Sequence, residues 1–331
     1  MIFKQILSGQ RIMTYIEEYK EGNKFFGIYL CKTKQVMKTK AGKTYYSVLL
    51  QDKTGTIDGK VWELNNGIEE FDSMDFIMVD GMVTSFQGSR QVNISRIRKA
   101  QECEYDPAEY IPASKYNIDD MYRELTDIIE TVSEPHLKQL IQMCFVDDKD
   151  FVKRFKVHSA AKSVHHGFIG GLLQHTLAVT KMCVFLADNY PILDRDLLIT
   201  AAIFHDIGKV YELSDFPMND YTDDGQLLGH IFLGAELIGD KVREIPGFPP
   251  VLATELRHCI LAHHGELEYG SPKKPAIAEA MALNFADNTD ARLETMTEVY
   301  EKANPTTEWL GYNRFVESNI RQSTGSVAKR K

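Results

Sequence analysis

The chain has 331 residues, 44% hydrophobic and 26% charged, a globular balance that excludes a disordered or fibrous protein. No run of about 18 apolar residues is present to cross a bilayer, and Met1 to Gln10 lacks the long apolar core of a secretory signal, so a cytosolic protein without membrane contact is expected. The formal charge of −9, taken alone, disfavours a polyanionic partner, and five cysteines without any C-x-x-C pair suggest neither a zinc ribbon nor a disulfide framework.

Charge is unevenly spread. Between Asn23 and Ala100 there are 12 lysines and arginines against 8 acids, a net +4, which leaves −13 for the remainder. A basic module joined to an acidic one points to division of labour.

Residues 1–22 are a leading segment, in which Met13 is an alternative start. From 23 to 100 the chain shows short alternating segments with turn chemistry between them, which predicts an all-β module. The expected strands are Phe25 to Lys32, Lys43 to Gln51, Ile57 to Trp62, Phe76 to Ser85 and Gln91 to Ile97. Ala41-Gly42, Asp52 to Gly55 and Gln87-Gly88-Ser89 supply turns, and Asn65 to Ser73 has room for a short helix. Five strands with the longest insert after the third follow the plan of a small OB barrel.

Residues 101–116, with Asp106-Pro107 and Ile111-Pro112 and no period, read as a linker. From 117 to 322 helical spacing dominates. Met121, Leu125, Ile128, Ile129 and Val132 form one apolar stripe, and Leu137, Leu140, Ile141 and Cys144 another. The expected fold class is therefore multidomain, an N-terminal all-β barrel followed by an all-α bundle, with a basic tail at 323–331.

The chemistry concentrates in that second domain. His175 sits in a stretch otherwise built to pack, and His205-Asp206 closes the run from Asp196 to Phe204, apolar almost all round. A carboxylate beside an imidazole at the end of a buried helix is costly unless a cation or hydrogen bonds meet it. His230 opens another apolar helix, His263-His264 ends one before Gly265, and Asp287 lies on a further helical segment. Seven nitrogen and oxygen ligands exceed what one tetrahedral ion takes, so two divalent ions are expected, with Asp206 giving one oxygen to each. Water between two such ions loses its proton near neutral pH, which supplies a nucleophile. Imidazole and carboxylate without thiolate suit Mn, Fe, Co, Ni or Zn, with Mn the first choice. Lys209, one turn after Asp206, can hold a phosphate oxygen or be a solvated helix-end lysine.

The spaced His175, His205-Asp206 and Asp287 resemble the signature of the HD superfamily of metal-dependent phosphohydrolases. Within it, His165-His166-Gly167-Phe168-Ile169-Gly170-Gly171-Leu172-Leu173-Gln174-His175-Thr176 and Phe204-His205-Asp206-Ile207-Gly208-Lys209 look like the YhaM-type 3′-to-5′ exoribonucleases of Gram-positive bacteria, which join an OB domain to an HD domain. The likeness runs from about residue 15 to 322. It implies one ion on His175, His205, Asp206 and Asp287, a second on Asp206, His230, His263 and His264, and catalytic roles for His166 and Lys209 near the phosphate beside Asp206. Asp290 competes with Asp287 for its role, and one of His263 and His264 can serve behind the other. The Gly-Tyr-Pro element of the cyclic-dinucleotide branch is missing after His263-His264.

The barrel carries the argument about substrate length. Lys43, Tyr45, Lys60, Trp62, Phe86 and Arg90 can stack bases and follow a backbone, and Arg314 and Arg321 share a face if 313–322 is helical. Single-stranded RNA is the expected partner. Single-stranded DNA is an alternative, since nothing identifiable reads a 2′-hydroxyl. Exposed barrel edges leave room for a homo-oligomer. Two other readings stand beside the exonuclease: a phosphohydrolase of small nucleotides whose barrel serves assembly or regulation, and a non-catalytic nucleic-acid-binding regulator.

Overall fold

A computed structural model describes residues 14–65, 67–86, 89–162, 166–303 and 308–325. Met13, Gln87-Gly88 of the expected hairpin turn, His165 and the tail Lys329-Arg330-Lys331 lie outside the described residues. The chain divides into two compact units, 1–113 and 114–331.

The first unit is a closed five-stranded barrel of β1 (Lys24–Lys38), β2 (Thr44–Asp52), β3 (Gly55–Val61), β4 (Phe76–Phe86) and β5 (Ser89–Lys99), in the order β1-β2-β3-β5-β4. That order is the OB plan. β1 pairs with β4 through residues 24–30 and with β2 through residues 30–38, and a bulge between Cys31 and Thr33 turns one strand toward two partners. The far half of β1 went unread because Lys34 to Lys38 holds no buried position. Its ladder with β2, rather than burial, extends the strand. Among the described residues between β3 and β4 there is no helix. Ile68 instead bridges to Ile97.

Phe25, Tyr29, Leu50, Val61, Val79 and Val92 fill the barrel. Two flanking segments expected to be separate belong to it. Ile16 and Tyr19 of the leading segment are buried in the same core, with Ile16 N–H donating to Asp52 at 2.6 Å and the Tyr19 and Tyr29 hydroxyls 3.0 Å apart. From the expected linker, Tyr105 stacks on Phe76 at 4.0 Å and Tyr110 is buried beside Leu30. Aromatic rings outweigh the turn chemistry of the two prolines there.

The second unit comprises α1 (Ile118–Glu130), α2 (Pro135–Gln142), α3 (Lys149–Val157), α4 (Gly171–Asn189), α5 (Arg195–Phe204), α6 (Lys209–Glu212), α7 (Asp223–Leu227), α8 (Gly229–Glu244), α9 (Pro250–Ala262) and α10 (Ala278–Lys302). Asn117 caps α1, Asp194 caps α5 and Thr222 caps α7, each with a side-chain oxygen on first-turn N–H groups. Every residue of α5 from Leu197 to Phe204 is buried, so its C-terminus delivers His205 and Asp206 into the interior. Close approach completes the frame. A Cβ on Gly208 would stand 2.0 Å from the carbonyl oxygen of His230, so α6 and the start of α8 meet backbone to backbone.

The unit is not helical to its end. β6 (Trp309–Asn313) and β7 (Ser318–Arg321) form an antiparallel hairpin, so Arg314 and Arg321 do not share a helical face. Asn313 Oδ1 accepts from the N–H groups of Phe315 and Val316, a local turn that competes with helix.

Candidate metal centre

Five helices contribute to one cluster. His175 comes from the second turn of α4, His205 and Asp206 follow α5, His230 opens α8, His263 and His264 follow α9, and Asp287 projects from α10. The seven residues of the expected ligand set are thus brought together.

They fall into two groups around Asp206. On one side, His175 Nε2 lies 3.1 Å from His205 Nε2, 3.3 Å from Asp206 Oδ2 and 3.2 Å from Asp287 Oδ1. On the other, Asp206 Oδ1 faces His230 Nε2 at 3.5 Å and His263 Nε2 at 3.7 Å, with His264 close by. Donors at neighbouring vertices around one first-row ion, bound at about 2.1 Å, sit roughly 3.0–3.4 Å apart. The observed separations lie in or just above that range.

The rings are also held in one tautomer. Nδ1 of His205 lies 2.7 Å from the Ala202 carbonyl, that of His263 2.7 Å from Ile260, and that of His264 2.7 Å from Tyr269. Nδ1 of His175 meets Asp290 at 2.6 Å, and Nδ1 of His230 meets Glu212 at 2.9 Å. Carbonyls and ionised carboxylates only accept, so each Nδ1 carries a proton and each Nε2 faces the cluster; on His175 the carboxylates of Asp206, Asp287 and Asp290 outweigh burial and favour a second proton, which a bound cation would displace. Asp206 Oδ1, His230 Nε2 and His263 Nε2 are buried without a protein hydrogen-bond partner. An orphaned buried acceptor costs about 1–3 kcal/mol. Three of them converging is what a cation site requires, and the residues present fit a divalent ion.

Electrostatics run the same way. Burial, then the neighbouring His264 and His205, push the His263 imidazole well below its ordinary range, so it is neutral and able to ligate. Burial likewise lowers His205 and His264. Burial also opposes ionisation of Asp206, but Lys209, His205 and His175 outweigh it and hold the carboxylate ionised. Lys209 is desolvated too, yet Asp206, with its Oδ2 at 2.6 Å, keeps the ammonium charged.

His166 is placed differently from the expectation. It lines the cavity that opens beside the cluster but is only 1% exposed, and its Nε2 lies 2.9 Å from the same Asp290 oxygen that holds His175, so the contact seen is with a group behind a ligand. Its φ of +59° and the close approach of Gly171 to its carbonyl fix it there. Asp290 meets His175 on Nδ1, the side away from Asp287, and with His166 and His175 makes a third group of possible ligands. Glu212 was missed altogether, although it receives both the backbone N–H and the Nδ1–H of His230.

A cavity of about 620 Å³ opens beside the cluster, lined among others by His175, Lys209, His230, His264, Asp287 and Arg314. Arg321 is engaged elsewhere, 2.6 Å from Glu308. On the barrel, Tyr45 stacks on Trp62 at 4.6 Å, Trp62 Nε1 donates to Asn93 at 3.1 Å, and Lys60 donates to Ser47 at 2.6 Å. Lys43 lies 3.6 Å from Glu63, and Phe86 is exposed. Arg90 does not serve this face. Its Nη1 donates to the carbonyls of Ile16, Glu17 and Tyr19 and clamps the leading turn to the barrel.

Residues 172–292 match the family model of the HD domain. Among solved structures, similarity is found to a chain of a replication protein A heterotrimer bound to single-stranded DNA, with 17% identity over 26% of this chain and 64% of that one at a TM-score of 0.21. The second OB-fold domain of replication protein A from Methanococcus maripaludis is 20% identical over 27% of this chain and 95% of that one, also at a TM-score of 0.21. Among the described residues no helix is long and apolar enough to cross a membrane. The chain thus has an N-terminal five-stranded barrel in OB order, followed by a helical unit in which residues 172–292 match the HD domain.

Proposed function

We propose that the protein is a metal-dependent 3′-to-5′ exonuclease of single-stranded RNA that releases nucleoside 5′-monophosphates. The observation that carries the phosphodiesterase reading is the buried Asp206, whose two oxygens face two separate sets of imidazoles, of which His175, His230 and His264 line an open cavity. RNA and the 3′ end are supported by the resemblance in His165 to Thr176 and Phe204 to Lys209, and by the barrel's paired Tyr45 and Trp62 with Lys60 beside them.

Divalent cations, Mn by preference, held by His175, His205, Asp206 and Asp287 and by Asp206, His230, His263 and His264, would polarise the phosphate and acidify water. The chain's own groups do the rest. Asp290, Glu212 and three backbone carbonyls hold a proton on each of the five Nδ1 atoms, so every Nε2 is oriented toward the ions, and His175 has only its extra proton to release. Lys209 keeps its positive charge at the cavity wall and can turn from Asp206 to a non-bridging phosphate oxygen. Tyr45 and Trp62 offer a base-stacking platform, and Lys60 and Lys43 a path for the backbone.

The test is incubation of a 5′-labelled single-stranded RNA with Mn, with chelator, and with Asp206→Ala. A ladder shortening from the 3′ end, lost with chelator and with the substitution, is expected. An intact oligomer beside turnover of free nucleotides would move the site to small-molecule substrates.

A further inference from the structure

Past the cluster, the cavity is walled by Arg292 of α10 and by Arg314 and Glu317 from the turn between β6 and β7. Asp287, Asn288, Ala291 and Arg292 all line it. Asp287 and Ala291, and Asn288 and Arg292, are each about one turn apart, so the cavity follows this side of α10, and the backbone of Arg292 lies about 7.5 Å further along the axis than that of Asp287. Among the described residues, neither arginine has a hydrogen bond or an ion pair. Five other arginines of this acidic unit, Arg123, Arg154, Arg195, Arg243 and Arg321, each meet a carboxylate; Arg257 does not, but it does not line the cavity. The cavity's other cations are engaged as well, Lys162 with Asp220 at 2.5 Å and Lys209 with Asp206 at 2.6 Å.

Building on the phosphodiesterase reading, we propose that Arg292 and Arg314 form an anion subsite for a second phosphate of the substrate, the internucleotide phosphate next to the one being cut. A guanidinium fork matches a phosphate with two parallel N–H bonds. Glu317, in the same wall, repels a terminal dianion more than it repels a diester monoanion, which favours an internal phosphate. The cavity thus selects an oligonucleotide end with two phosphates over a single diester.

The test compares wild type with the Arg292→Ala/Arg314→Ala double variant. Mn-dependent turnover is measured on bis(p-nitrophenyl) phosphate, on UpU and on UpUpU, and binding of UpU and UpUpU is measured by calorimetry in EDTA. Wild type should show a KM about tenfold lower for UpUpU than for UpU, as expected of one added charge-assisted contact. In the double variant that ratio should fall toward one in both turnover and binding, with bis(p-nitrophenyl) phosphate unaffected. An Arg292→Lys/Arg314→Lys variant should recover part of the preference. A double variant that keeps the trinucleotide preference overturns the subsite while leaving the phosphodiesterase reading intact. A nucleoside diphosphate that competes as well as UpUpU, and only through these arginines, also overturns it, because the second phosphate is then that of a nucleotide. If wild type turns over none of the three, the phosphodiesterase reading falls, and the binding arm alone decides the subsite.

Discussion

The two units treat buried polar groups in opposite ways. In the barrel, the Tyr19 and Tyr29 hydroxyls satisfy each other and Asp52 accepts from Ile16 N–H and from Thr54. In the helical unit, Asp206 Oδ1, His230 Nε2 and His263 Nε2 are buried and unsatisfied within a few ångströms of one another. The barrel's interior is completed by folding alone. The helical unit stores an unfavourable contribution that a bound cation removes, so its stability and its chemistry are linked through one site.

The sequence holds two tryptophans, Trp62 in the barrel and Trp309 in the helical unit, which lets each be followed separately in Trp62→Phe and Trp309→Phe variants. The largest effect expected is on the Trp309 signal. Saturating Mn at about a hundredfold over Kd should raise the helical unit's unfolding free energy by about 2.7 kcal/mol. The Trp62 transition should stay where it is. Equal shifts of both would break the contrast.

Glu212→Gln and Asp290→Asn should each weaken metal affinity or activity by about ten- to a hundredfold, as loss of a ligand-orienting carboxylate does elsewhere. Metal titration by calorimetry measures this directly. A variant with unchanged affinity would mean that the backbone alone orients the ring. On the barrel side, Trp62→Ala should weaken single-stranded oligonucleotide binding by about 1–3 kcal/mol and leave hydrolysis of bis(p-nitrophenyl) phosphate untouched. Fluorescence anisotropy and a colorimetric rate separate the two readouts.

The smallest effect is a divergence in pH dependence of the metal-free protein. His205, His263 and His264 are held below their ordinary range by burial, so below about pH 6.5 the unfolded chain binds protons that the native rings refuse. Their contribution to stability therefore falls as pH drops through that region. His175 runs the other way, because Asp206, Asp287 and Asp290 outweigh its burial and favour its proton. Three rings against one predict net acid sensitivity. In the barrel, burial and Tyr19 raise the Tyr29 hydroxyl, so the unfolded chain releases a proton near pH 10 that the native barrel retains, and stability is lost on the alkaline side. Denaturation curves from pH 5 to 11 on the two single-tryptophan variants check the divergence.

Much of this was legible from residue types. His175, His205, Asp206, His230, His263, His264 and Asp287 stand out because each is polar within, or just after, a helix that is otherwise packed, and periodicity locates such helices. The barrel strands show in period-two alternation wherever they bury a face. Glu212 was not legible. It lies in the four-residue helix α6, too short for a period, and acquires its role only because the chain returns to place His230 against it. Arg90 looked like a backbone-tracking cation, since nothing local in the sequence shows that the carbonyls of a turn some seventy residues earlier fold onto it. The β6–β7 hairpin was hidden because Asn313 redirects the chain by a local turn that spacing does not register.

Gly208 makes the distance between Asp206 and His230 a property of the main chain. A methyl group at that position would meet the His230 carbonyl at 2.0 Å and the Gly234 nitrogen at 2.7 Å, and would wedge α6 from α8. The gap across which Asp206 Oδ1 meets His230 is thereby gauged by two backbones in contact, which cannot be retuned by repacking side chains. Selection acting on metal preference can exchange ligands around that gap, but it has little freedom to change the gap itself.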